Sequence, residues 1–308
     1  SFQKFGWNTT FVDPSPENFK ASLNDNVKAI FVESLANPGG IVTDLAGIAT
    51  VAKEAGIVMV VDNTLATPYL CRPIEHGADI VVHSLTKFLG GHGNSIGGVI
   101  VDSGNFDWMK NDKYSTFSKP CDSYHGLVIG DTFGPAMGNI AFAIACRVLS
   151  LRDIGQCLSP QNAFYILNGI ETLPLRMQKH CDNALMVANH LKSHDKISWV
   201  SYSGLDDDPY HQLQQKYMPK GGGAVMTIGL KDGYDAGVKM VESVGLFTHL
   251  ANIGDARSLI IHPASTTHSQ LSQADQIKAG AGPDVIRLSI GIEDVEDIIA
   301  DLEKALNA

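Results

Sequence analysis

The sequence predicts an α/β protein in which a mainly parallel sheet domain, residues 1–194, precedes a smaller α+β C-terminal domain, residues 195–308. Short apolar runs alternate with helical patterns in the first part of the chain, which is typical of parallel strands joined by helices. Beyond a long amphipathic pattern at 174–194, strands outnumber helices, which favours an antiparallel sheet. A length of 308 residues suits about two domains of ordinary size.

The first two predicted strands flank a helix. Residues 28–33 and 57–61 are apolar runs of strand length, as expected of parallel strands covered on both faces. Between them Asp44 is a candidate N-cap, apolar residues recur at helical spacing, and Gly56 is a candidate C-terminal stop. Asp62 follows the second strand and is therefore expected at the sheet edge where ligands of open α/β sheets bind.

Two further strands are predicted at 78–84 and 97–101, separated by a glycine-rich turn. The segment 103–135 is polar and turn-rich and has no sustained periodicity, so we expect a long loop there. The helices predicted beyond it lie at 137–151, 161–167 and 174–194. The C-terminal domain has predicted strands at 198–202, 224–230, 258–262 and 285–290 and helices at 235–244 and 295–306.

Composition and charge argue against several classes of protein. The net charge is −10 and no lysine or arginine run occurs, which argues against a nucleic-acid or anionic-membrane surface. No stretch approaches the roughly 20 apolar residues of a membrane span, and no secretory signal is recognisable, so a cytoplasmic location is expected. The five cysteines include no CxxC pair and are expected to be reduced. The histidines lack the spacing of a metal site, and no metal is predicted.

The sharpest group of candidate catalytic residues follows two neighbouring strands. Asp62 ends one strand, and Ser84, Thr86 and Lys87 follow the next. Because parallel strand ends share one edge of a sheet, a carboxylate, two hydroxyls and an amine meet there. An aldehyde cofactor with a pyridine ring and a phosphate requires these groups. Lysine can bind the aldehyde, the carboxylate can keep the ring nitrogen protonated, and the hydroxyls can bind phosphate.

The same residues have ordinary structural interpretations, which the pattern alone leaves open. A carboxylate such as Asp62 can cap a turn at a strand end, and a lysine after a strand is usually solvated. For Lys87, the neighbouring hydroxyls within an apolar sheet favour the functional interpretation. A nucleotide-binding module is a weaker alternative, because the glycines at 91–97 miss the G-x-G-x-x-G spacing and precede a strand.

Arg287 lies inside the apolar run at 285–290, where an unpaired guanidinium would be costly. We expect it to meet an anion, which is either an internal aspartate or glutamate or the carboxylate of a substrate. Ser265, in a loop at 261–268, is either an ordinary turn residue or a second donor to a carboxylate. The sequence pattern does not separate these alternatives.

The string DIVVHSLTKFLGGHG at 79–93 resembles the lysine signature of the Cys/Met-metabolism family of pyridoxal-phosphate enzymes, and the resemblance extends from the first strand to the last helix. It implies the aspartate aminotransferase-like fold of PLP-dependent transferases, fold type I. By resemblance, Lys87 binds pyridoxal 5′-phosphate covalently, Asp62 pairs with the pyridine nitrogen, and Ser84 and Thr86 hold the phosphate.

The resemblance assigns three further site residues. Asn37, in the string ESLANP at 33–38, matches the family's asparagine near the phenolic oxygen of the cofactor. Arg287 and Ser265 match the pair that binds the substrate carboxylate.

Within the family, four further strings are most similar to O-acetylhomoserine sulfhydrylases. The similarity implies a γ-replacement in methionine and cysteine biosynthesis, in which sulfide displaces acetate from O-acetylhomoserine to give homocysteine. The close alternatives are cystathionine γ-synthase, cystathionine γ-lyase and methionine γ-lyase activities, which share the named residues and differ in the acceptor. The strings lie at 66–73, 123–126, 151–155 and 251–259.

Members of the family carry an N-terminal stretch ahead of the position that matches Ser1, with a phosphate-binding loop and a tyrosine that stacks on the pyridine ring. The chain is therefore expected to be a shortened one, and a non-catalytic, incomplete polypeptide unable to hold the cofactor is the alternative from another class. The resemblance also implies small-molecule substrates and a homo-oligomer built as a dimer of dimers.

Overall fold

The computed structural model describes residues 2–38 and 40–308, and these residues contain two sheets. The strands of the N-terminal sheet are β1 (Ala29–Glu33), β2 (Val58–Asp62), β3 (Ile80–Ser84) and β4 (Gly98–Asp102). They lie in this order, with β1, β2 and β3 parallel and β4 antiparallel to β3. The mainly parallel sheet predicted from the apolar runs is therefore confirmed.

The C-terminal sheet is mostly antiparallel, as predicted. Its strands are β5 (Ile197–Ser201), β6 (Val225–Leu230), β7 (Thr248–His249), β8 (Leu259–Ile261) and β9 (Val285–Ser289). They lie in the order β5-β6-β9-β8-β7, and the one parallel pair in this described sheet is β7 with β8. Strand β7 is too short to show a period in the sequence.

The helices cover both sheets. Among those described, none is long and apolar enough to cross a membrane. The helices are α1 (Pro16–Ser22), α2 (Leu45–Ala55), α3 (Thr67–Leu70), α4 (Ser115–Ser118), α5 (Ile129–Phe133), α6 (Ala141–Ala145), α7 (Arg152–Ile154), α8 (Pro160–Glu171), α9 (Leu173–Lys192), α10 (His211–Tyr217), α11 (Gly233–Ser243), α12 (Gln273–Lys278) and α13 (Val295–Leu306).

Helix α2 begins and ends where the sequence predicts, but its first turn is capped differently. Asp44 occupies the N-cap position without a side-chain capping bond. Its carboxylate instead accepts hydrogen bonds from the Tyr217 hydroxyl and, at 3.2 Å, from the Lys216 ammonium. The tyrosine oxygen in turn accepts from the N–H of Ala46 at 3.1 Å. A side chain from the C-terminal part of the protein therefore pairs with an N–H that the first turn of the helix leaves without a partner. Gly56 ends the helix with φ 64°, as glycine at this position commonly does.

The segment 103–135 is not the long loop that its lack of periodicity predicts. It forms short helices, including α4 and α5, around an aromatic core. The Trp108 ring stacks on Phe117 and Phe142, with centroids 4.5 and 5.1 Å apart, and meets Tyr114 edge-on at 5.2 Å. Contacts between aromatic rings order this segment, and such contacts leave no helical period in the sequence.

Helix α9 packs into the apolar cores of both sheets. Met177 and Cys181 belong to the core at the N-terminal sheet, whereas Val187 and Leu191 belong to the core at the C-terminal sheet. The division into domains after residue 194 stays a prediction, since one helix is shared by the two cores.

Candidate active site

The segment after β3 presents Lys87 in a non-helical conformation. Leu85–Leu89 forms a single turn of π-helix, within which Lys87 has φ −90° and ψ −134°. The buried guanidinium of Arg176, on α9, donates to the main-chain oxygens of Phe88 at 2.8 Å and Leu89 at 3.3 Å. Because buried carbonyls require partners, these bonds stabilise the turn that carries the lysine.

Gly254 lets a loop of the C-terminal part lie directly against Lys87. Its φ is +77°, and a Cβ atom there would lie 2.7 Å from the Phe88 nitrogen and 3.0 Å from the Lys87 Cβ. Two residues further on, the N–H of Ala256 donates to the main-chain oxygen of Gly91 at 2.8 Å. The loop therefore packs on the turn Leu85–Leu89, called the lysine turn below, and leaves no room for a side chain at Gly254.

Replacing Gly254 by alanine is expected to lower the free energy of unfolding by about 2–5 kcal/mol. A left-handed conformation costs a non-glycine residue about 1–2 kcal/mol, and overpacking adds about 1–3 kcal/mol. Gly138 is the matched control, because it has the same φ of +77° and a Cβ there would meet nothing within 4 Å. Urea denaturation measures both variants. Equal losses for Gly254→Ala and Gly138→Ala would contradict the close approach.

The Lys87 amine is half-buried and lies close to two polar residues. Its Nζ donates a hydrogen bond to Oδ1 of Asn252. Burial and, to a smaller extent, the nearby Arg287 guanidinium lower the pKa of Lys87, since both disfavour the charged amine. A lysine with a lowered pKa is more available as a nucleophile and as a base.

The side chain of Asp62, at the end of β2, is held by hydrogen bonds to one of its two carboxylate oxygens. Its Oδ1 accepts from the N–H of Thr64 at 2.9 Å and from the Thr64 hydroxyl at 2.5 Å. The Thr64 hydroxyl oxygen accepts in turn from the Ser84 N–H at 2.8 Å, which ties the ends of β2 and β3 together. The other carboxylate oxygen receives no hydrogen bond from the described residues, so it can accept from a protonated ring nitrogen.

Replacing Thr64 by valine is expected to lower the free energy of unfolding by about 1–3 kcal/mol. The change leaves the Ser84 N–H without its acceptor, and an unsatisfied buried polar group costs about that much. Thr50→Val is the control, because that hydroxyl lies on the exposed face of α2 and donates to a helix carbonyl. Chemical denaturation of both variants makes the comparison. An equal effect at the two positions would count against the linking role of Thr64.

The two hydroxyls predicted to hold a phosphate differ in their bonding. The Ser84 hydroxyl makes no hydrogen bond with any described residue and is free to bind a ligand. The Thr86 hydroxyl accepts from the Gly97 N–H at 3.1 Å and donates to the Gly97 oxygen over a longer 3.3 Å. A phosphate oxygen would therefore find one free donor and one that has to turn from a main-chain carbonyl.

Arg287, on β9, is partly buried and has no carboxylate partner. Its guanidinium donates to Oδ1 of Asn37 at 3.4 Å and to the main-chain oxygen of Asn252 at 3.2 Å. No carboxylate of residues 2–38 and 40–308 forms a salt bridge with it, so the alternative of an internal ion pair is wrong for the described chain. Burial lowers the pKa of Arg287. An anion from solution is the partner that its position favours.

Asn37 brings the end of β1 into the same site. It precedes Pro38 through a cis peptide bond, and its N–H donates to Oε2 of Glu33 at 3.1 Å. Glu33 lies beside Asp62 in the register of β1 with β2, and burial, followed by that second carboxylate, raises the pKa of Glu33. The role of Asn37 toward a phenolic oxygen stays a prediction, while its contact with Arg287 is observed.

Ser265 is not joined to the other predicted residues by any hydrogen bond among the described residues. Its hydroxyl oxygen lies 2.9 Å from Nδ1 of His262 and donates to the His262 main-chain oxygen at 3.3 Å. Binding of a carboxylate by Ser265 therefore stays a prediction, and it requires the hydroxyl to leave these partners.

Sequence reasoning missed four residues of this site: Thr64, Arg176, Asn252 and Gly254. Asn252 and Gly254 lie within the string 251–259, whose resemblance to O-acetylhomoserine sulfhydrylases assigns no role to either residue. The signal that could have found Arg176 is a guanidinium among the apolar positions of α9, since such a group requires buried acceptors.

The cysteines and histidines form no metal site among the described residues, and two of the cysteines are buried. Among the described residues, no group of three or more histidine, cysteine or acidic side chains could hold a metal ion. The five cysteines are free thiols. Burial raises the pKa of Cys71 and of Cys181 to about 12, so both thiols are protonated and unreactive at neutral pH.

The arrangement fits pyridoxal phosphate. A lysine amine lies near the ends of neighbouring strands, together with a carboxylate oxygen and a hydroxyl that have no partner among the described residues. Beside the amine lies a guanidinium that no described carboxylate pairs with. These groups match an aldehyde, a protonated ring nitrogen, a phosphate and the carboxylate of an amino acid respectively.

Similarity to known proteins agrees with this geometry. The family model described as Cys/Met metabolism PLP-dependent enzyme matches residues 1–307. The O-acetyl-L-homoserine sulfhydrylase of Leptospira meyeri is 51% identical over 312 residues, which cover 99% of this chain and 70% of that protein. The homocysteine synthase of Schizosaccharomyces pombe is 49% identical over 306 residues, with coverage of 98% and 70%.

A solved structure is also similar over the whole chain. A Campylobacter jejuni protein described as an O-acetylhomoserine (thiol)-lyase, with N′-pyridoxyl-lysine-5′-monophosphate, has a TM-score of 0.93 and 40% sequence identity. The match covers 100% of this chain and 72% of that one. The predicted fold class and the predicted cofactor are thereby confirmed, and this chain belongs to the family of Cys/Met metabolism PLP-dependent enzymes.

Proposed function

We propose that this enzyme catalyses a γ-replacement on O-acetylhomoserine, in which sulfide takes the place of acetate and homocysteine is formed. Its family membership supports PLP-dependent chemistry on a sulfur amino acid. The names of the relatives, O-acetyl-L-homoserine sulfhydrylase and homocysteine synthase, favour this reaction over the cystathionine-forming and lyase alternatives.

The observation that carries the proposal is a lysine amine placed beside a guanidinium that has no carboxylate partner among the described residues. Lys87 and Arg287 both donate to Asn252, one to its side chain and the other to its main chain. An amino-acid substrate with its carboxylate on Arg287 would therefore have its α-carbon near the Lys87 amine. This is the arrangement that proton transfer at the α-carbon requires.

Four residues would hold the cofactor. Asp62 would accept from the ring nitrogen, Ser84 and Thr86 would donate to the phosphate, and Lys87 would bind the aldehyde. When bound, pyridoxal phosphate supplies an electron sink that makes the hydrogens at Cα and Cβ of an amino acid acidic.

Lys87 is the group of this chain that moves the protons. With the substrate bound, the Lys87 amine would accept a proton from Cα. Because a neutral amine holds one added proton at a time, Lys87 would give up this proton, which pyridoxal phosphate can take, before it accepts one from Cβ. Acetate would leave from Cγ, sulfide would form a bond with Cγ, and Lys87 would return the protons one at a time in the reverse order. The lowered pKa of Lys87 keeps more of the amine in the neutral form that accepts protons.

The test is to measure acetate and homocysteine released by the chain supplied with pyridoxal phosphate, with and without sulfide. We expect equal amounts of the two products, and both should depend on sulfide. Acetate release without sulfide, accompanied by 2-oxobutyrate and ammonia, would instead indicate a γ-lyase.

We also propose a cytoplasmic homo-oligomer built from two dimers that acts on small-molecule substrates. The resemblance to the family supports this assembly. Sedimentation velocity of the purified protein measures it, and a monomer at micromolar concentration would contradict it.

A further inference from the structure

Asn252 contacts the Lys87 amine through its side chain and the Arg287 guanidinium through its main chain. Its side-chain oxygen Oδ1 accepts from the Lys87 amine, and its main-chain oxygen accepts from the Arg287 guanidinium at 3.2 Å. We propose that Asn252 is a positioning residue that holds the free amine of Lys87 beside the group that binds the substrate carboxylate. The inference rests on the proposed function, in which Lys87 takes up and returns protons while Arg287 is occupied.

The loop that carries Asn252 is fixed on both sides. The N–H of Asn252 donates to the Leu250 oxygen at 2.8 Å, and the N–H of Gly254 donates to the Ser289 hydroxyl at 3.1 Å. Gly254 itself lies against the backbone of Lys87. The backbone that carries the carboxamide is therefore held close to the Lys87 backbone, as a positioning group requires.

A neutral acceptor suits an amine that has to change its charge. No carboxylate of the described residues lies within salt-bridge distance of Lys87, and the nearby Arg287 disfavours an ammonium ion there. A carboxylate at position 252 would form an ion pair and keep the lysine charged, whereas a hydrocarbon would leave an ammonium without an acceptor. A carboxamide oxygen binds both the neutral and the charged amine.

The other charged groups around the lysine turn each accept or donate at least one hydrogen bond away from the Lys87 amine. Arg176, from α9, donates to main-chain carbonyls. Asp255, in the loop that carries Asn252, is paired with Arg257 at 3.2 Å. Asp62, from the end of β2, accepts from Thr64. Position 252 is therefore where a changed charge acts most directly on the amine.

The experiment measures the titration of Lys87 in the cofactor-free chain. The rate at which trace acetic anhydride acetylates Lys87 is followed by peptide mass spectrometry between pH 6 and pH 11, roughly the range in which a buried lysine titrates. For Asn252→Asp, which has nearly the native shape, we expect the midpoint to rise by about 1–3 pH units, the usual effect of an opposite charge at contact. For Asn252→Leu we expect the midpoint to fall, because the ammonium loses its acceptor.

Asn189→Asp is the matched control, because it adds the same charge on the exposed face of α9, and we expect no shift for it. Near-ultraviolet circular dichroism confirms that each variant is folded. Shifts of opposite sign at position 252 support the inference, since loss of packing alone would not produce them. An unchanged midpoint in both variants, or a shift in the same direction, overturns it.

This readout is independent of the overall reaction. If the enzyme proves to be a lyase, the titration of Lys87 is still expected to respond in the same way. Failure of the proposed function and failure of the positioning role are therefore distinguishable.

Discussion

Replacing Lys87 by alanine is expected to lower the rate of sulfide-dependent homocysteine formation by at least about 10³-fold. The Lys87 amine is the candidate base and lies near the Arg287 guanidinium, and general acid–base catalysis by a placed side chain contributes about 10²–10⁴-fold. The variant also loses the covalent attachment of the cofactor, which adds to the effect. The measurement is homocysteine formed per minute at saturating O-acetylhomoserine and added pyridoxal phosphate.

Lys231→Ala provides the control for this experiment. Lys231 is exposed beyond β6, and its side chain has no partner among the described residues. Its replacement is expected to leave the rate within about twofold of the unmodified chain, as is usual for surface substitutions. Retention of appreciable turnover by Lys87→Ala would remove this residue from the catalytic role.

Replacing Arg287 by glutamine is expected to lower kcat/KM for O-acetylhomoserine by about 30- to 5,000-fold. Loss of one partner of a desolvated charge pair costs about 2–5 kcal/mol, and each 1.36 kcal/mol, roughly, is a factor of ten. The physical reason is that the Arg287 guanidinium has two neutral acceptors and no carboxylate among the described residues. We therefore propose that the carboxylate of the ligand supplies a partner for this guanidinium.

Initial rates over a range of O-acetylhomoserine concentrations separate binding from turnover in this variant. We expect most of the loss to appear in KM, because the carboxylate is bound in the ground state as well as in the transition state. Arg72→Gln is the control, since Arg72 forms an exposed pair with Glu75 at 3.1 Å, and such pairs contribute little. An unchanged KM for Arg287→Gln would show that the carboxylate binds elsewhere.

Two parts of the fold show why some predictions hold and one does not. The strands β2 and β3 are continuous apolar runs because both faces of a parallel strand are buried, so their ends, with Asp62 and Lys87, are visible in the sequence. The aromatic core around Trp108 has no such period, because its rings meet across turns of irregular length. The sequence pattern there resembles that of a loop, although the segment is folded.

In the predicted site too, some residues are visible in the sequence pattern and others are not. The lysine signature places Lys87, Ser84 and Thr86 within four positions of one another, and such local spacing follows from strand and turn geometry. Asn252 contacts Lys87 across 165 positions of sequence, and Arg176 reaches Phe88 across 88. No local period reports contacts of this kind, because they depend on how two sheets and the shared helix α9 pack together.

The sequence by itself determined the alternation of strands and helices, the resemblance to a family, and the chemical groups at the ends of β2 and β3. Only the tertiary structure decided what those groups meet. It removed the internal ion pair as an interpretation of Arg287, because only the folded arrangement shows that no described carboxylate reaches the guanidinium. It also placed Asn252 between that guanidinium and the Lys87 amine, because side chains distant in sequence become neighbours only when the chain is packed.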